Sequence, residues 1–259
     1  MRGLDYWRLD ELGAAAIFFP RTDERPAPPG AEDLAIPLSE QVCLAARFYV
    51  TDSAAPTVLY FHGNGEVAAD HDDIAPLYHR VSLNLFVAEF RGYGQSTGTP
   101  TFNNLVADAH STLSFFHDLL NDRGFSAHRF VMGRSLGSHP ALELAANQPE
   151  RLNGLIIESG AGNLQRLLQR FGADDDPGAL ELSARHTEKL RRISLPTLII
   201  HGQRDDLVPV SQAHWLAETL GDSVWESLLV DGAGHNDLLW VDARGYFDAI
   251  ARLTQATSD

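Results

Sequence analysis

An α/β domain built on a mostly parallel sheet is the fold class that this sequence predicts, and three observations predict it. Short apolar runs rich in β-branched and aromatic residues alternate with segments of helical spacing. Most of those runs are apolar throughout, as expected of strands covered on both faces. The length, 259 residues, suits one such domain. A domain of this size buries roughly 70–75% of its unfolded surface and needs no covalent staple.

In chain order, residues 14–19, 34–38 and 42–50 are strand-like runs without helices between them, and they predict antiparallel strands leading into the parallel part. Residues 21–30 hold three prolines and no periodicity, which predicts a surface loop. Parallel strands are expected over 57–61, 84–88, 129–132, 154–157, 197–200 and 224–230. The clearest helix follows Pro100 and puts Leu105, Ala109, Leu113, Phe116 and Leu120 on one face. Further helices are expected near 74–81, 136–147, 211–220 and 240–253. Alternation of this kind places helices on both faces of one open sheet. A single domain, 1–259, is the expectation.

One stretch breaks the rhythm. Between the strands at 154–157 and 197–200, residues 160–193 are longer than one crossover helix requires. They carry Leu164, Leu168 and Phe171 at helical spacing, an Asp-Asp-Asp-Pro-Gly turn at 174–178, and a second helical pattern over 180–190. Ligands of α/β sheets sit beyond the carboxyl ends of the strands, so an insertion leaving that edge is a candidate lid. An ordinary pair of surface helices fits the spacing equally well.

Composition excludes several function classes. The net charge of −15 argues against a nucleic-acid partner. A lone cysteine, Cys43, can form neither an internal disulfide nor a Cys-rich zinc site. No apolar run approaches the ~20 residues of a membrane span. The longest, 12–19, is a poor signal peptide, because Arg2 and Arg8 are offset by Asp5, Asp10 and Glu11. A cytoplasmic protein is expected. His71, His79 and the aspartates 174–176 show no ligand spacing, so no metal is expected.

The chemistry starts at Gly133-Arg-Ser135-Leu-Gly137, which follows an expected strand and opens an expected helix. In G-x-S-x-G a serine nucleophile sits on a tight, strained strand-to-helix turn, and the flanking glycines remove side chains that would collide. Alone the pattern is weak, but a serine nucleophile also needs a base and an acid to orient the base. His235 lies in Asp231-Gly-Ala-Gly-His-Asn-Asp237, just after the last strand, and Asp205 follows the strand ending at Ile200. Asp206 and Glu158 compete with Asp205 for the acid. Donors for a developing oxyanion are expected from the backbone N–H groups of Leu136 and of Asn64, in Phe61-His-Gly-Asn-Gly65.

Taken together, His62-Gly-Asn-Gly65, Phe90-Arg-Gly-Tyr-Gly-Gln-Ser96, Gly133-Arg-Ser-Leu-Gly137, His201-Gly with Asp205, and Gly234-His-Asn-Asp237 resemble the α/β-hydrolase superfamily. The order Ser135, Asp205, His235 is that family's order. More narrowly, the chain resembles the serine hydrolases that include protein depalmitoylases and bacterial esterase-like proteins. The resemblance runs from about residue 57 to the end of the chain. It implies an eight-stranded sheet whose second strand is antiparallel, hydrolysis of an ester or thioester of a small molecule through an acyl-enzyme, and no cofactor. The subgroup usually has glycine after the elbow and after Gly65, where this chain has Ser138-His139-Pro140 and Glu66, so substrate preference does not carry over. Depalmitoylation of membrane proteins is not expected, since the chain shows no membrane segment or cysteine-rich tail.

Two other classes compete. Gly63-Asn-Gly-Glu-Val-Ala68 satisfies G-x-G-x-x-A, and Glu89 stands near the end of the next strand, where a dinucleotide site places its ribose-binding acid. That reading leaves Ser135, Asp205 and His235 unexplained. A non-catalytic ligand-binding protein on the same fold is the other, although such a protein would be expected to lose a triad member. Arg91–Gly98 is expected to be a structural loop, and Arg134 to form an internal ion pair.

Overall fold

A computed structural model describes residues 4–257. Arg2 and the outermost ends of the 1–259 span lie outside the described residues. Eight strands form one sheet: β1 (Ala31–Pro37), β2 (Cys43–Tyr49), β3 (Thr57–Phe61), β4 (Asn84–Ala88), β5 (Arg129–Arg134), β6 (Gly154–Glu158), β7 (Thr197–Gly202) and β8 (Val224–Val230). Their order is β1-β2-β4-β3-β5-β6-β7-β8. β2 pairs antiparallel with both β1 and β4, while every pair from β4 to β8 is parallel. β2 is thus the one strand running against the sheet, as the resemblance implies.

Strand alternation builds two cores. Leu59 and Phe61 of β3 and Val131 of β5 face one, and Val58, Tyr60, Phe130 and Met132 face the other. The first core is covered by α1 (Trp7–Glu11), α3 (Phe102–Asp122), α4 (Ser138–Asn147), α6 (Pro177–Leu190) and α7 (Ser211–Leu220). The second is covered by α2 (Ala75–Arg80) and α8 (Leu238–Ala256). α3 starts where Thr101 caps the Asn104 N–H at 3.1 Å. Its predicted face is fully inside, with Leu105, Ala109, Leu113, Phe116 and Leu120 all buried. Each of these leucines, and Phe116, contributes roughly 1.5–3 kcal/mol of transfer free energy.

The N-terminal expectation is corrected at residues 14–19. Ala14–Ile17 is a turn of 3₁₀ helix, not a strand, entered through Gly13 at φ +99°. Its core contacts are Ala14 and Ile17, three apart, which is the helical spacing. Three alanines carry no strand preference of their own, so packing decided the conformation.

Residues 160–193 fold as α5 (Gln165–Arg170) and α6. Both pack into the first core, through Leu164 and Leu168 and through Ala179, Leu182 and Leu190. Asp176 caps α6 by accepting from Ala179 N (2.8 Å) and pairs with Arg8. Farther along α6, Lys189 is almost wholly buried and donates to Glu143 Oε2 and Tyr6 Oη, both at 2.6 Å. His186 bridges Tyr6 Oη (2.8 Å) and the Gly162 carbonyl (2.9 Å). The insertion is therefore stitched to Tyr6, just before α1, and to Glu143 of α4 by a buried polar network. Among the described residues, no helix is long and apolar enough to cross a membrane.

Candidate active site

The turn after β5 carries Ser135 at φ +50°, a left-handed conformation rare for a side-chain-bearing residue. Its neighbours explain the glycines. A Cβ on Gly133 would run into the Gly137 carbonyl, and one on Gly137 into the carbonyl of Phe61 on β3. The turn continues as 3₁₀ over Ser135–Gly137 and then α4, whose Ser138 Oγ donates to the Ser135 carbonyl at 2.6 Å. Leu136 lies at the base of that helix, one residue past the serine.

His235 comes from the loop between β8 and α8. Asp237 Oδ1 accepts from Gly234 N at 2.6 Å and closes that loop. Asp205 comes from the loop after β7, joined to the His235 loop by Arg204 N donating to the Ala233 carbonyl at 2.8 Å. The three side chains meet. His235 Nδ1 donates to Asp205 Oδ2 at 2.7 Å, and His235 Nε2 accepts from Ser135 Oγ at 3.0 Å. Asp205 Oδ1 accepts from Leu207 N (3.0 Å) and Val208 N (2.7 Å). Burial opposes ionisation of Asp205, yet the hydrogen bonds from His235 and Val208 outweigh it and hold the carboxyl below its ordinary value. An ionised Asp205 fixes the proton on His235 Nδ1 and leaves the Nε2 lone pair for the serine.

Neither competing acid meets His235 among the described residues. Asp206 is exposed. Glu158 accepts from Arg134 Nε (3.0 Å) and Tyr246 Oη (2.7 Å). Arg134 also pairs with Glu66 and donates to the His235 carbonyl at 3.1 Å, so its ion pairing is internal, as expected. Arg91 likewise pairs with Asp108.

The loop after β3 is held from several sides. Asn64 Oδ1 accepts from Phe19 N (2.9 Å) and Tyr93 Oη (2.7 Å), and its Nδ2 donates to the Ile17 carbonyl (2.5 Å). Glu89 has its own task here. Its Oε2 meets His62 Nε2 at 2.9 Å and its Oε1 accepts from Ala68 N at 2.7 Å. The carboxylate offered for a ribose is thus used inside the protein. The Gly63–Ala68 segment also leads into a four-residue 3₁₀ turn, Ala68–His71, not the α-helix N-terminus a pyrophosphate would need. The dinucleotide reading is not favoured.

Sequence reasoning assigned no part to His62 or His201. His201 Nε2 donates to the Val208 carbonyl (2.7 Å) and bolsters the turn that presents Asp205. A histidine at the carboxyl end of β7 and another just past the end of β3 were the available signal.

The comparisons with known proteins agree with this fold. A family model described as serine aminopeptidase, S33, matches residues 52–173. Protein bem46 of Schizosaccharomyces pombe is 29% identical over 203 residues, 76% of this chain and 66% of that protein. Alpha/beta hydrolase domain-containing protein 17B of Xenopus laevis is 32% identical over 195 residues, 72% of this chain and 62% of that protein. The chain thus spans just under two thirds of the length of these two relatives. An uncharacterized protein of Mycobacterium tuberculosis is 26% identical over 256 residues, 93% of this chain and 87% of its own. Among solved structures, the Pyrococcus furiosus esterase Pf2001 superposes with a TM-score of 0.73 at 19% identity, covering 93% of this chain and 97% of the esterase. Sheet order, elbow and relatives converge: the chain has the α/β-hydrolase fold and is similar to hydrolases that carry it.

Proposed function

We propose that the protein cleaves a carboxylic ester or thioester of a small molecule through an acyl-enzyme, with Ser135 as nucleophile, His235 as base and Asp205 as the orienting acid. The observation that carries this reading is the unbroken hydrogen-bond chain from Ser135 Oγ through His235 to Asp205 Oδ2. In it, His235 Nε2 takes the proton of Ser135 as Oγ attacks the carbonyl, and Asp205 stabilises the imidazolium. The N–H groups of Asn64 and Leu136 receive the oxyanion. The three hydrogen bonds on the Asn64 side chain support that role, since they hold its loop still. The same His235 then activates water and the acid leaves. No step calls for a cofactor.

The 160–193 insertion serves in this reading as a fixed cap beside the site. Swinging α6 away would part Lys189 from Glu143, both 1% exposed, and would strip Leu182 and Leu190 of α6 from the core they pack in. The lone Cys43 is free, which suits a reducing, cytoplasmic setting.

The experiment is a rate profile over p-nitrophenyl esters and acyl thioesters of rising chain length, with fluorophosphonate labelling of wild type and Ser135→Ala. Ester turnover and labelling that both vanish in the variant are expected. Labelling that persists removes Ser135 as nucleophile. Turnover of aminoacyl anilides in place of esters would shift the activity to that named by the aminopeptidase family description.

A further inference from the structure

A cavity lies on the α2 and α8 side of the sheet, at the carboxyl edge of β3, β5 and β6. Its volume is about 550 Å³, inside the roughly 300–1,000 Å³ of small-molecule sites. Leu77, Leu239 and Trp240 give it apolar walls, and Trp240, 90% exposed, stands at the mouth. Neither Ser135 nor His235 lines it. Arg134 and Asn236, each adjacent in sequence to one of them, form the partition.

The inner wall holds more negative than positive charge. Glu66 and Glu158 share the guanidinium of Arg134. Glu66 accepts also from Gly63 N (2.8 Å), and Glu158 from Tyr246 Oη (2.7 Å). Arg134 has acceptors on all its nitrogens, the remaining two being the His235 carbonyl (3.1 Å) and Asn236 Oδ1 (2.7 Å). It therefore has little to offer an anion. Asp70, also in the wall, is matched by Arg21 and Arg25, whereas Asp73 at the rim has no ion pair among the described residues.

Two buried polar side chains line the same space without full partners. Tyr60 is 3% exposed, and its hydroxyl makes no hydrogen bond among the described residues. His71 is also 3% exposed; its Nδ1 donates to the Val67 carbonyl (3.3 Å), and its Nε2 meets no protein donor among the described residues. Neither atom is sealed inside the protein, so each is open to a ligand in the cavity: Tyr60 Oη can accept or donate a hydrogen bond, and His71 Nε2 can accept one.

We propose that this cavity binds a small organic ammonium ion, a primary amine on a short alkyl or aryl body. The ammonium would lie against Glu66 and Glu158, within reach of Tyr60 Oη and His71 Nε2, and the body would pack on Leu77 and Trp240. Two carboxylates around one guanidinium leave a charge for the ligand to balance. Three N–H donors distinguish a primary ammonium from a quaternary one. Because Arg134 also holds the His235 carbonyl, a ligand here touches the wall of the candidate active site without entering it. The inference does not depend on the activity of Ser135.

Calorimetric titration of the full chain with hexylammonium, hexan-1-ol, hexanoate and hexyltrimethylammonium tests this. Hexylammonium is expected to saturate one site and to bind about tenfold or more tighter than the isosteric alcohol, as expected of a partly desolvated charge pair. Hexanoate should show no saturation. Glu66→Gln should weaken hexylammonium about tenfold, and Tyr60→Phe about threefold, the loss of one hydrogen bond. Leu77→Trp, which fills the apolar end, should remove binding while its melting curve reports that the fold survives. Equal affinity for alcohol and ammonium, no saturable heat with hexylammonium, or an unchanged Kd in both Leu77→Trp and Glu66→Gln each overturns the proposal.

Discussion

Asp205→Asn changes one atom, and the surrounding hydrogen bonds dictate where that atom goes. Oδ1 accepts from two backbone N–H groups, Leu207 at 3.0 Å and Val208 at 2.7 Å. An asparagine must keep its carbonyl oxygen there. Turning the amide over would set NH₂ against two donors and leave both unpaired, at about 1–3 kcal/mol each. The NH₂ group therefore takes the place of Oδ2, 2.7 Å from His235 Nδ1. It can only donate, so Nδ1 becomes the acceptor and Nε2 carries the proton. Nε2 then cannot take the proton of Ser135. The equivalent change in a serine-protease triad lowers kcat about 10⁴-fold, or about 5.5 kcal/mol at about 1.4 kcal/mol per factor of ten. Initial rates on a short p-nitrophenyl ester, for wild type, Asp205→Asn and Asp206→Asn with matched melting curves, test it. Asp206 is exposed, and its variant should stay within about threefold of wild type, as surface changes do. If Asp205→Asn kept a tenth of the rate, or Asp206→Asn lost as much, the triad reasoning would be refuted.

Ser135→Gly should abolish fluorophosphonate labelling yet stabilise the fold. It relieves roughly 1–2 kcal/mol of left-handed strain against about 0.5–1 kcal/mol of added unfolded-state entropy, and a lower urea midpoint than wild type would contradict this. Gly137→Ala should cost about 3 kcal/mol, the upper range for overpacking, because the obstacle is the Phe61 backbone; urea melts measure it, and an unchanged midpoint would show that β3 and α4 separate freely. Burial alone would raise the Glu143 carboxyl, but hydrogen bonds from His110 and Lys189 hold it below its ordinary value. A depressed folded pKa gives stability that is present above the unfolded value, about 4.3, and lost as pH falls through the folded one. The urea midpoint of wild type should therefore drop more steeply below about pH 4.3 than that of Glu143→Gln, and parallel profiles would argue against it.

Much of this molecule was legible in the residues. The strand and helix alternation, the elbow at Gly133–Gly137 and the order of Ser135, Asp205 and His235 are local patterns, each written within a dozen residues or in chain order. Periodicity also placed the buried face of α3, because 3.6-residue spacing on a long helix leaves little alternative. Short, weakly patterned pieces were another matter. Ala14–Ile17 took its conformation from what it packs against, since three alanines favour neither a strand face nor a core.

Asp205 meets His235, and Asp206 and Glu158 do not, because of which carboxylate the loop after β7 aims at the imidazole and which the Arg134 guanidinium consumes. Glu89, plausible as a ribose ligand in one dimension, is bound to His62 across 27 residues of chain. The Lys189–Glu143 anchor spans 46 residues, and the cavity beside Arg134 draws its wall from β3, β5, β6, α2 and α8. Such contacts follow from strand order and from side-chain directions at the ends of the sheet. Sequence by itself determined the layers of this protein and the residue types at its strand ends. Only the tertiary structure decided which of those polar groups meet, because a hydrogen bond depends on ångström-scale placement that no local pattern carries.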